Sequence, residues 1–148
     1  MVAMYSMFIA DEIGVKEKYH HSILLYALHH DLSEIITGDI STVAKKFIKS
    51  RGGEEAIKDL DSLFPSIKKL KDETGGLGEA VVKLADLIDA AVFLSVEGLG
   101  SHAEKVKLNL IKRFDDHVEK YDNQWPHLLW WNARDVLDNA LHGEDITL

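Results

Sequence analysis

Residues Ser22–Ile36 read SILLYALHHDLSEII. Their apolar side chains recur at three- and four-residue intervals, the period of a helix that packs inside a protein, and strand-like alternation does not persist. The same segment carries His30, Asp31 and Glu34. Extended to Asp39 it becomes LHHDLSEIITGD (Leu28–Asp39), with two adjacent histidines, three acids and a glycine turn in twelve residues. A helix bound for the interior does not carry such groups unless something holds them there.

Outward from this segment the pattern stays helical. The spacing predicts a first helix over 2–13 stopped by Gly14, a second over 16–36, and a third over 42–50 that Ser41 can cap. A fourth over 54–63 precedes Pro65, and a short one, SIKKLKDE, follows. Further helices are expected over 79–97, 102–121 and 126–142, the last with Pro126 in its first turn. The fold class is therefore all-α. A single domain is expected over 1–143, with 144–148 a flexible tail.

Composition limits the function. The chain has 148 residues and a net charge of −8. An acidic balance argues against an extended nucleic-acid footprint, which needs clustered Lys and Arg. A small phosphorylated substrate stays open, because a bound cation inverts the local field. No cysteine is present, so disulfides and thiolate metal sites are excluded, which fits a cytoplasmic setting. No charge-free apolar run approaches a membrane span, and the apolar start, MVAMYSMFIADEIG, lacks a basic leader.

Two polar intrusions into apolar helices carry the chemistry. On the second helix, His30 and Glu34 are four apart and Asp31 and Glu34 three apart, so all three share one face. Imidazole with carboxylate is a donor set suited to Mn, Fe, Co, Zn or Mg. The plainer alternative is a partly solvated cluster at a helix C-terminus. On EAVVKLADLIDAAVFLSVEGL (Glu79–Leu99), apolar around nearly its whole circumference, Asp86 interrupts the run and Asp89 follows a turn later. A carboxylate buried there needs a partner. A cation is one candidate, and a salt bridge to Lys83 or Arg113 is the other. A site shared by His30, Asp31 and Asp86 accounts for both intrusions at once. In NQWPHLLWW, Trp125, Trp130 and Trp131 are expected to pack in the core or at a dimer interface rather than on a base.

The pair HHDLSEIITGD and, about 50 residues on, KLADLIDA resembles the HD superfamily of metal-dependent phosphohydrolases. Within it, the match is closest to bacterial 5′-deoxynucleotidases and the related phage deoxynucleoside triphosphohydrolases. The resemblance implies a helical HD-domain bundle with His30, Asp31 and Asp86 as ligands to a divalent metal cation. It implies Glu34 as the acid/base residue near the attacking water, Asp39 in contact with the sugar, and Lys45 approaching the phosphate. It also implies a homodimer. Guanosine tetraphosphate hydrolases carry a second acid where this chain has Ile35, and the cyclic-dinucleotide branch needs a Gly-Tyr-Pro element that is absent. The family's metal site has a further His on its first helix. Here MVAMYSMFIAD resembles the residues just after it, so either the natural N-terminus lies upstream of Met1 or this ligand is missing.

The expected activity is thus hydrolysis of a small-molecule nucleotide, with a deoxynucleoside monophosphate placed first. A triphosphohydrolase is the alternative. A catalytically weak HD module binding a nucleotide or a partner protein is the rival of another class.

Overall fold

The computed structural model describes residues 1–30, 47–48, 50–53 and 65–143. Among these residues six α-helices form and no strand: α1 (Val2–Glu12), α2 (His20–His29), α3 (Pro65–Thr74), α4 (Leu77–Val96), α5 (Gly100–Gln124) and α6 (Ala133–His142). The helices expected over 42–50 and 54–63 fall wholly or largely outside the described residues, as do the second helix beyond His30 and the tail 144–148. No described helix is long and apolar enough to cross a membrane.

α4 is the centre, as its apolar circumference predicts. Each of the other five helices packs against it. Val81, Leu84, Ala85, Ile88 and Ala91 are sealed from solvent among Ile9 of α1, Ile13 just after it, Ile23 of α2, Phe114 and Val118 of α5, and Leu137 of α6. A smaller cluster joins Tyr26 and Ala27 of α2 to Ile67 of α3 and Val82 of α4.

α1 ends where the sequence predicts. Gly14 adopts φ +77°, a left-handed conformation that suits glycine, and Val15 N donates to Ala10 O at 2.8 Å. Near the start of α4, Gly78 is required for a different reason. A Cβ there would meet Thr74 Oγ1 at 2.8 Å and two Thr74 carbons at 3.3 Å. Thr74 is held in place by its own hydrogen bond to Leu70 O. Gly78→Ala is therefore expected to destabilise the fold by about 1–3 kcal/mol despite alanine's better helix propensity. A midpoint in urea equal to or above wild type would show that Thr74 yields freely.

The last third departs from expectation. Pro126 lies in a turn after α5, and α6 begins only at Ala133. The intervening chain drops Trp130 into the core, fully buried, through a 3-10 turn over Trp130–Asn132. A straight helix from Pro126 would not make the two bonds this turn makes back to α1: Leu129 N to Ile13 O at 3.0 Å and Asn132 Nδ2 to Glu12 O at 3.1 Å. Arg134 then joins α6 to α5 through Asp115, with Asp138 on its other side. Burial alone would lower its pKa, but the bond to Asp115 and both carboxylate charges hold it above its ordinary value.

The tryptophans separate accordingly. Trp130 is core, Trp125 packs against it at 5.7 Å between ring centroids, and Trp131 is exposed. His117 stacks on Tyr121 at the edge of this cluster, 5.5 Å between centroids. Burial lowers the His117 pKa below 6.5, the charges of Lys83, Lys120 and Arg113 lower it further, and Asp116 opposes them. The folded protein thus binds this proton less readily than the unfolded chain. Its contribution to stability is lost as pH falls below about 6.5, and the loss stops growing below the folded pKa. The fall in melting temperature between pH 7 and pH 5 is expected to be smaller in His117→Gln than in wild type. Parallel curves would contradict it.

Candidate metal centre

Helix directions set the site. The start of α1 lies beside Asp89, with the Met1 α-amino nitrogen 3.5 Å from Oδ1. Gly14 and Val15, just past its end, line one cavity with Leu77 at the start of α4. α1 and α4 are therefore antiparallel. α2 is also antiparallel to α1: His20 Nε2 at its start donates to Val15 O at 2.9 Å, and Tyr26 and Ala27 pack with Val2 and Ala3. α2 and α4 consequently run parallel. Tyr26 and Ala27 share a cluster with Val82, so along these parallel helices His30 and Asp86 each follow about one turn beyond that cluster, and Asp89 about one turn later.

His30 caps the C-terminus of α2. Its Nδ1 lies 2.7 Å from Ala27 O. A carbonyl only accepts, so Nδ1 carries the proton, and in the neutral ring Nε2 carries the lone pair. Nε2 is shielded from solvent. A histidine whose Nδ1–H is fixed by a backbone carbonyl is prepared to give Nε2 to a cation. His29 differs. It is exposed, bonds Leu25 O through Nδ1 at 2.6 Å, and lines a groove of about 350 Å³ between α2 and α3. The two adjacent histidines therefore face different surroundings.

Asp86 corrects one expectation. It interrupts an apolar run, yet its carboxylate is 47% exposed and pairs with Lys83 Nζ at 3.0 Å. Of the two salt-bridge partners the sequence offered, the one at i−3 on the same helix is found. Asp89 is 39% exposed and also acts inward. Burial raises the pKa of the Tyr5 phenol, and the Asp89 charge raises it further. Its place beside the start of α1 was missed in the sequence, where the only signal is its spacing of three from Asp86.

Asp31, Glu34, Asp39 and Lys45 lie outside the described residues. Among the described residues no three His, Cys, Asp or Glu side chains form a metal-binding group. The donor types that are described suit a divalent cation: an imidazole of fixed polarity on α2 and partly exposed carboxylates on the parallel α4.

The HD domain family matches residues 1–85. The chain belongs to the HD domain family. The match takes in α1, α2, α3 and the part of α4 just before Asp86. Three phage proteins, each named dATP triphosphohydrolase, are similar to this HD-domain chain. That of Acinetobacter phage SH-Ab 15497 is 27% identical over 134 residues, 88% of this chain and 66% of the relative. That of Salmonella phage PMBT28 is 30% identical over 117 residues, 77% of this chain and 58% of the relative. That of Cyanophage S-2L is 33% identical over 90 residues, 60% of this chain and 49% of the relative. The chain thus spans about half to two thirds of the length of these curated relatives. No solved structure matches it.

Proposed function

We propose that this HD-domain chain is the core of a divalent-cation-dependent deoxynucleoside triphosphohydrolase, with dATP the first substrate to try. The observation that carries the proposal is His30: its ring is oriented by Ala27 O so that Nε2 is the donor atom. The three relatives named dATP triphosphohydrolase support the triphosphate over the monophosphate that the sequence placed first.

In this reading His30, Asp31 and Asp86 hold the cation, which when bound makes water more acidic and offsets phosphate charge. Glu34 takes a proton from the attacking water. The water oxygen bonds to the α-phosphorus and the bond from that phosphorus to the 5′ oxygen breaks. A proton reaches the 5′ oxygen, so deoxynucleoside and triphosphate leave. Asp39 orients the sugar, and Lys45 meets the phosphate charge.

The test is a panel of ribo- and deoxynucleoside mono- and triphosphates with Mn, Co, Zn and Mg, with phosphate and triphosphate measured separately. Triphosphate released from dATP supports the proposal. Phosphate released from deoxynucleoside monophosphates alone returns the monophosphate reading, and cation binding without turnover favours a binding module.

A further inference from the structure

Lys83 stands one turn before Asp86 on α4, and its ammonium reaches the Asp86 Oδ2 atom at 3.0 Å. Both side chains are partly exposed, at 38% and 47%. An i,i+3 pair in that setting adds little to stability. What distinguishes it is its partner, a carboxylate that the proposed function gives to a cation. Lys83 also acts across to α5, where its charge joins those of Lys120 and Arg113 on His117.

We propose that Lys83 is a built-in competitor for Asp86 and sets how tightly this end of the bundle takes a divalent cation. The inference rests on the phosphohydrolase reading. An ammonium on one carboxylate oxygen lowers that carboxylate's value as a ligand, because two cations a few ångströms apart repel. A cation that claims Asp86 must share it with Lys83 or displace Lys83. The displaced ammonium, on its flexible stem, is then a donor for the phosphate oxygens of a polyphosphate substrate. Lys83 thereby weakens the bare cation and favours the cation that arrives with a nucleotide.

The experiment is calorimetric titration of the protein with Mn²⁺ alone. Lys83→Met is expected to tighten Mn²⁺ binding by about three- to tenfold, the effect of removing one nearby charge in a partly solvated setting. Lys83→Arg keeps the charge and is expected to bind as wild type does. In an Asp86→Asn background, Lys83→Met is expected to change nothing, since the coupling runs through that carboxylate. Equal or weaker Mn²⁺ binding by Lys83→Met overturns the proposal, as does a tightening that persists with Asn at position 86. A wild-type protein that takes up no Mn²⁺, Co²⁺ or Zn²⁺ instead overturns the phosphohydrolase reading beneath it.

Discussion

His30→Ala is expected to weaken divalent-cation binding by roughly a hundredfold or more and to cut nucleotide hydrolysis on the order of a thousandfold. The size follows from the ring's position. The Nδ1–H bond to Ala27 O fixes which nitrogen faces inward, so no rotamer search is needed to present Nε2. Alanine removes that donor, and nothing else on the last turn of α2 replaces it: His29 is exposed and tied to Leu25 O. His29→Ala is accordingly expected to leave both quantities within about threefold, the range of a surface change away from the site. Calorimetry and turnover on the same two variants make the comparison. If His29→Ala proves the damaging one, the assignment of the two histidines is reversed. If neither matters, the cation is held elsewhere.

The largest effect on stability is expected at Trp130. It is fully buried among Tyr121 and Trp125, with centroids at 5.2 Å and 5.7 Å. Trp130→Ala leaves a cavity that α5 and α6 cannot collapse into without breaking the turn back to α1. The cost is about 3–5 kcal/mol, or a fall of roughly 10 °C or more in melting temperature for a chain of this length. Trp130→Phe makes the sharper comparison. The indole Nε1–H is buried and meets no acceptor among the described residues. Phenylalanine gives up some packing but also removes that unsatisfied donor, so a loss of about 1 kcal/mol or less is expected. Equal melting points for Trp130→Ala and wild type would mean that the residue does not complete the core.

Much of this was legible in the sequence. Apolar residues at helical spacing located α1, α4 and α5 to within a few residues, because burial on one face or all faces repeats with the helix period. The pairing of HHDLSEIITGD with KLADLIDA correctly pointed to the HD family. Two features were hidden for physical reasons. Pro126 looks like a helix start because its local preference is correct. Whether the helix begins there is decided by Trp130, whose burial needs a turn first. Asp86 looks buried because its neighbours are apolar, but a residue's exposure depends on which flank of the helix the other helices leave open. The relative merit of mono- and triphosphate was not in the motif either. The motif describes how water and cation are held, whereas phosphate number depends on groups farther along the substrate.

The bonds from Leu129 and Asn132 back to the end of α1 have a consequence for how the chain acquires its structure. The carbonyls of Glu12 and Ile13, where α1 ends, meet donors more than a hundred residues away in sequence, with a separation of 120 for Asn132 and Glu12. α1 is finished only when the segment after α5 arrives. Until the C-terminal third has been synthesised, Ile9 and Ile13 have no Phe114, Val118 or Leu137 to pack with. Residues 1–85 therefore carry the family's signature, while part of the core they belong to comes from beyond them. Such long-range closure raises contact order and makes folding slower than that of a bundle with only neighbouring contacts. During translation it leaves an apolar amphiphile exposed at the ribosome, the kind of surface that chaperones hold.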